Sequence, residues 1–245
     1  MKRKFTDSND NQSEGEIALR KLLLPLDNVP IKGAFTTQLL HLLSSMQAQV
    51  VTDIAQMRDS HIIRLLHCPG STTEKSDKSF LIMIEDYLSD LEKSINAINN
   101  NKEMTAALLK FKHWIQFSDK MSIFRNELMD GTIEKLNTKH PLSNIDIDHI
   151  ISIGYLSYRR DVTVNDILWF SHPKIGELVQ IMTSVQSKIL LALNRRRYKE
   201  ISLKELKKQK IRTPYSIEYH IYELIGSNII TSTPAPSDDI VLRKK

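Results

Sequence analysis

Asn144-Ile145-Asp146-Ile147-Asp148-His149-Ile150-Ile151-Ser152-Ile153-Gly154-Tyr155-Leu156-Ser157-Tyr158, followed after a polar interval by Ile167-Leu168-Trp169-Phe170, is the stretch on which the fold turns. Apolar residues at helical spacing run from Asn144 to Ile153 and stop at Gly154. An apolar strand Tyr155 to Tyr158, a polar tip Arg159 to Asp166 and a second apolar strand Ile167 to Phe170 follow. The same order occurs twice more. Upstream, a helix around Val50 to Arg58 leads to the strand His61 to Leu66, the tip Cys68 to Ser79 and the strand Phe80 to Ile84. Downstream, Ser216 to Ile225 leads through Gly226 to the strand Ile229 to Ser232, the tip Thr233 to Asp239 with its two prolines, and Ile240 to Leu242. Gly154 and Gly226 both stand where a helix would end in a left-handed cap.

Two further helical segments precede each helix and hairpin, which is the order of a winged helix-turn-helix. The expectation is therefore a mainly α chain with small β-wings (α+β class), arranged as three tandem winged helix-turn-helix domains. They are placed at 16–98, 99–175 and 176–245, behind a polar N-terminal tail, 1–15, expected to be disordered. In the middle copy Leu108, Leu109, Phe111, Trp114 and Ile115 are the expected core of the first helix, after a linker from Asn96 to Asn101. A long amphipathic helix from about Ile175 to Asn194 carries Leu178, Val179, Met182, Val185, Ile189 and Leu193 on one stripe and joins the second copy to the third.

Composition excludes several classes. With 41% hydrophobic and 26% charged residues in 245, the chain has the make-up of a soluble globular protein. No apolar run approaches the length of a membrane span, and Met1-Lys2-Arg3-Lys4 is followed by polar residues rather than a signal core, so neither secretion nor membrane insertion is expected. The single cysteine, Cys68, makes no intrachain disulfide and no cysteine-based zinc site. G-x-x-x-x-G-K-[ST], G-x-G-x-x-G and H-E-x-x-H are all missing. Tyr158-Arg159-Arg160-Asp161 with Asn165 has a superficial likeness to a kinase catalytic loop. It has Tyr in place of His, its Asn comes one residue early, and no D-F-G or V-A-I-K partner accompanies it. The eight histidines are scattered without ligand spacing. No catalytic residue, cofactor or metal is expected.

Charge is unevenly spread. From Met182 to Lys245 there are 13 Lys and Arg against 6 Asp and Glu, a net +7, which leaves −2 for the first 181 residues. The candidate site is the basic run Arg195, Arg196, Arg197, Lys199, Lys207, Lys208, Lys210 and Arg212, with Glu200 and Glu205 as its offsets. Such a cluster suits a phosphate backbone, because each cation that neutralises a phosphate releases a condensed counterion. It also suits a solvated helix end, where cations oppose the dipole. Tyr215, Tyr219 and Tyr222 beside it could stack on bases or pack in the core. The helix Pro214 to Ile225 turns Ile217, Ile221, Leu224 and Ile225 inward and is expected to offer Glu218 and Glu223 outward. Carboxylates there repel phosphates, so duplex DNA would be held through its backbone with little sequence selectivity, and the wing near Asp238 would contribute little.

The segments Arg197-Tyr198-Lys199-Glu200-Ile201-Ser202-Leu203-Lys204-Glu205-Leu206 and Tyr219-His220-Ile221-Tyr222-Glu223-Leu224-Ile225-Gly226 resemble the R-Y-R-E-L-x-L-x-E-L and Y-H-V-H-D-L-I-G stretches of the serine/threonine-protein kinase nineteen family. Weaker correspondence runs through Ile84-Glu85-Asp86-Tyr87 and Ile150 to Leu156. Despite its name, that family resembles a non-kinase of three winged helices that binds double-stranded DNA. The resemblance implies a nuclear factor of transcription-coupled nucleotide excision repair, contacting stalled RNA polymerase II and repair proteins. The family's basic positions map onto Arg195, Arg197 and Lys199. Its Gly-Arg-Arg turn is matched in kind by Lys208, Gln209 and Lys210, while Gln180 and Asn194 are neutral. Lys2-Arg3-Lys4 is a short match to an import signal, and a homodimer on DNA is left open. The rival expectation is a protein-interaction scaffold whose basic strip docks an acidic partner. Asp86, Asp90, Glu92, Asp146 and Asp148 would then make the first two copies partner platforms.

Overall fold

The structure, a computed structural model, describes residues 13–26, 28–68, 78–98, 101–133, 138–159, 166–235 and 239–245. The first helix, α1 (Glu14–Leu23), begins inside the stretch expected to be tail. Ser13 caps it by accepting the Glu16 amide, and the Gly15 amide donates to the buried Asp53 carboxylate at 2.8 Å. There follow β1 (Gly33–Phe35), α2 (Thr36–Leu42), a short 3-10 turn, α3 (Gln47–Asp59), β2 (Ile63–Cys68) and β3 (Lys78–Met83). Their antiparallel sheet has the order β1-β3-β2.

A bridging helix, α4 (Ile84–Ala97), leads to a second round: α5 (Lys102–Phe117), β4 (Ser122–Phe124), α6 (Arg125–Asp130), a two-residue ladder of β5 (Thr132–Ile133) with β6 (Thr138–Lys139), α7 (Asn144–Ile153), β7 (Leu156–Tyr158) and β8 (Ile167–Phe170). The third round is α8 (Ile175–Asn194), β9 (Glu200–Ser202), α9 (Leu203–Lys208), α10 (Ile217–Gly226), β10 (Ile230–Pro234) and β11 (Ile240–Lys244). Their sheets, β4-β8-β7 and β10-β11-β9, repeat the first arrangement: the last strand lies between the other two. The chain is thus α+β, with helices around small three-stranded sheets in an order consistent with winged-helix construction. No helix among the described residues is long and apolar enough to cross a membrane.

Local chemistry sets most boundaries. Ser143 and Asp146 form a reciprocal capping box at the start of α7. Gly154 ends that helix at φ 100, and the amides of Gly154 and Tyr155 return to Ile150. Gly226 differs from expectation. It remains helical, and the left-handed residue after α10 is Asn228 (φ 60). Glycine is required at 226 for a different reason: a Cβ would lie 2.1 Å from the Thr37 carbonyl oxygen, because α10 packs directly on α2. In α5, Leu108, Phe111, Trp114 and Ile115 are buried as expected, whereas Leu109 is half-exposed. The ends of the expected tips, Cys68, Lys78, Ser79, Thr233 and Pro234, are strand residues. Lys2-Arg3-Lys4, the Arg160 to Asn165 part of the kinase-like stretch and Asp238 lie outside the described residues.

The first round is the hub. One core runs through it into the second round and the start of α8, and a separate core is confined to the third. Arg64 of β2, only 2% exposed, crosses the first seam. Its guanidinium donates to the carbonyls of Ile115 (3.3 Å), Ser118 (2.9 Å) and Lys120 (3.1 Å), at and just past the C-terminus of α5, and lies 3.7 Å over the Phe170 ring. Burial pulls its pKa down to about 10, so it stays charged and meets the negative end of the helix dipole. His67 stacks on Trp169 at 4.7 Å, and the Tyr87 hydroxyl donates to the Ser171 carbonyl at 2.8 Å. Replacing Arg64 with Met takes a donor from three carbonyls, those of Ile115 and Ser118 buried and that of Lys120 partly so. The Arg64→Met variant is expected to lose about 3 kcal/mol of stability in urea denaturation, and Arg64→Lys to recover part of it.

Candidate nucleic-acid interface

The basic run is built on the end of α8. Buried Val185, Ile189 and Leu193 on one stripe hold this helix against β9 and β11, so its C-terminus points a fixed way. Past Asn194 the chain turns at once: the Arg195 amide returns to Leu191, and the Arg196 amide to Leu193. A second turn closes when the Lys199 amide bonds the Arg196 carbonyl at 3.0 Å, which puts Arg197 and Tyr198 at its corners. Lys199 itself takes φ 54, a conformation uncommon outside glycine. The Lys244 amide of β11 holds its carbonyl at 3.1 Å. Tyr198 is 70% exposed and has the Arg197 guanidinium 5.3 Å from its ring centroid.

The eight expected cations fall into two groups. Arg196 is tied to Glu205, and Lys207 to Glu218, so both are partly neutralised. The Glu218 carboxyl, raised by its partial burial, is brought below its ordinary value overall by that lysine. Arg195, Arg197, Lys199, Lys208, Lys210 and Arg212 are exposed and form no ion pair with any described residue. Arg195, Arg196 and Lys210 share a cup of about 480 Å³ with Lys188, Leu191, Ala192, Gln209 and Ile211. Two cations were missed by sequence reasoning. Lys188 stands two turns before Arg195 on the same face of α8, a spacing that could have flagged it. Lys244 reaches the Asn194 side chain at 3.1 Å, only because β11 pairs with β9.

The helix expected to turn Glu223 outward does not. Glu223 is fully buried rather than outward: its carboxylate takes the Lys78 ammonium at 2.6 Å, the Ser227 hydroxyl at 2.9 Å and the Thr37 hydroxyl. Tyr215 and Tyr219 stack on each other at 4.7 Å and are core residues, donating their hydroxyls to the carbonyls of Ile31 (2.9 Å) and Gly33 (2.8 Å). The Gln38 amide donates to the Tyr219 carbonyl at 2.7 Å. One side of α10 is thus sealed against the first round, and the open charges lie on other elements. Among the acidic residues expected on the surface, Asp146 is buried in its capping box and bonded to Lys110, while Glu92 and Asp148 are exposed but paired with Lys112 and Arg125. Among the described residues no group of three or more His, Cys, Asp and Glu side chains is placed to hold a metal ion.

Residues 19–216 match the model of a protein family described as inactive serine-threonine protein kinase 19. The chain is also similar to a protein named winged helix repair factor 1 from Xenopus laevis, with 24% identity over 168 residues. The aligned stretch covers 67% of this chain and 58% of that relative, so the chain spans little more than half of the relative's length.

His220 supplies a pH test of the α10 seam. It is fully buried, with Nε2 2.8 Å from the Thr213 hydroxyl and no hydrogen-bond partner for Nδ1 among the described residues. Burial lowers its pKa from 6.5 to about 4. Between those values the unfolded chain binds the proton and the folded one does not, so stability is full above pH 6.5 and drains as pH falls toward 4, by up to about 3 kcal/mol. Urea denaturation across that range should show the loss, and His220→Gln should flatten it.

Proposed function

The chain belongs to the inactive serine-threonine protein kinase 19 family, and on that premise we propose that it is a nuclear DNA-repair protein without kinase activity. In this proposal it is built as three tandem winged-helix domains, residues 16–98, 99–175 and 176–245, and the third holds double-stranded DNA. The observation that carries the proposal is the set of open cations on the turn between α8 and β9, at the end of α9 and on the segment after it. An exposed ammonium or guanidinium with no carboxylate partner is already free to meet a phosphate, and each such contact releases a counterion.

The binding mode follows from what faces away. With Glu223, Tyr215 and Tyr219 of the α10 region committed to the first round, major-groove reading by that side of the helix is shut off. Arg195, Arg197, Lys199, Lys208, Lys210 and Arg212 then grip sugar-phosphate backbone, which carries position but no base identity. Lys188 and Lys244 extend the strip. The first two domains, with their net negative balance, are left for proteins. The family resemblance makes stalled RNA polymerase II and the factors of transcription-coupled nucleotide excision repair the partners of this proposal. The relative's name, a winged helix repair factor, supports the repair assignment.

Fluorescence anisotropy of a labelled duplex across a salt series tests this. Six open cations imply a slope of log affinity against log salt of about −4 to −6, the same for unrelated duplexes of equal length. Arg195, Arg197 and Lys199 changed together to Glu should nearly abolish binding. Glu218→Gln, which frees Lys207, should tighten it by about two- to fivefold. If no duplex binds even at low salt, the strip serves an acidic protein surface instead.

A further inference from the structure

The cup beside the exposed turn has a composition that a duplex backbone does not call for. It opens where the last two turns of α8 meet the segment after α9, and its volume of about 480 Å³ falls within the roughly 300–1,000 Å³ usual for small-ligand sites. Lys188, Arg195 and Lys210 supply its exposed cations, and Arg196, held by Glu205, adds a fourth. Leu191, 49% exposed on the end of α8, and Ile211 supply apolar surface between them. Gln209 adds a side-chain amide that both donates and accepts. Phosphates passing along a duplex meet cations on a rim and have no use for a hydrophobic floor beneath them. A nucleotide that has left its stack needs both: cations for its phosphate, an apolar surface for its base face and an amide for its base edge.

The neighbouring turn offers the second half of such a site. Tyr198 stands at its corner between Arg197 and Lys199, 70% exposed, with ring surface beyond its contact with the Arg197 guanidinium open to stack on the next base. We propose that the cup receives one unpaired nucleotide, and that the protein therefore holds DNA containing unpaired bases in preference to a fully paired duplex. This rests on the DNA-binding proposal above and adds the form of DNA that the site selects.

The test compares the full chain on a fully paired labelled duplex and on the same duplex with a short internal run of mismatched bases. The wild type should bind the mismatched form about five- to tenfold more tightly, the equivalent of one stacked base. A fluorescent adenine analogue placed in the mismatched run should change its emission on binding. Leu191→Arg fills the floor while adding a cation. It should keep or improve binding to the paired duplex, which also shows that the variant is folded, yet lose the preference. Tyr198→Ala should reduce the preference, and Tyr198→Phe should keep it. Equal affinity of the wild type for both forms, or a preference that survives Leu191→Arg, overturns the inference while leaving backbone binding intact. Failure of both forms to bind at low salt overturns the DNA-binding proposal and this one with it.

Discussion

Arg64 is covalently part of the first sheet, but the hydrogen-bond partners of its guanidinium belong to the second round of the fold. Burying a guanidinium is costly unless its donors find acceptors, and here three main-chain carbonyls at and just past the end of α5 take its two terminal nitrogens and the face of Phe170 covers it, while Nε has no partner among the described residues. The dependence runs both ways. Without the arginine, the carbonyls of Ile115 and Ser118 would lose a donor where water does not reach. Without the end of α5, the charge would have no counterpart. That reciprocity sets where the second round sits on the first, and the contacts of His67 with Trp169 and of Tyr87 with Ser171 follow from it.

The other seam uses the same logic with the opposite charge. Glu223 is carried by α10 and neutralised by Lys78 of β3, with Thr37 and Ser227 as further donors. A buried carboxylate is tolerable only in such company, so this side of α10 is committed to the interior. In a free winged helix the third helix is the natural probe of a groove. Here the exposed, unpaired cations lie instead at the end of α8, on the turn after it, at the end of α9 and on the segment that follows, where internal partners are few. The architecture thereby separates the helix that holds the third round in place from the surface that is open to a ligand.

Several local elements were legible in the sequence to the residue, while the start of α1 and the strands of the first hairpin were displaced by about two residues. The bounds of α7 and α8, the strand Ile167–Phe170 and the repeated order of elements all follow from short-range periodicity, caps and polar interruptions. The basic turn was legible as charge. What failed to show was every property decided by a residue far along the chain. Glu223 has the helical position of a surface residue and is buried because Lys78, 145 residues earlier, lies across it. Gly226 reads as a cap and is needed for its closeness to Thr37. Tyr215 and Tyr219 read equally as stacking platforms or core, and Ile31 and Gly33 decide between the two. Lys244 joins the candidate site only through strand pairing. Periodicity reports which side of an element is apolar, and carries no information on which distant element will cover its polar side.

The close fit of α10 on α2 also has a meaning for the order in which the protein is made. Gln38, fully buried in the finished molecule, is covered in part by Tyr219, and the carbonyls of Ile31 and Gly33 wait for Tyr215 and Tyr219. Those tyrosines come 184 and 186 residues later in the chain than the carbonyls they bond. Until they are made the nascent first unit presents an unfinished wall, with bare main-chain acceptors beside apolar surface, and such transient surfaces invite aggregation. The third unit has its own core from residues 185 to 242, so the wall can close only once that unit has been made.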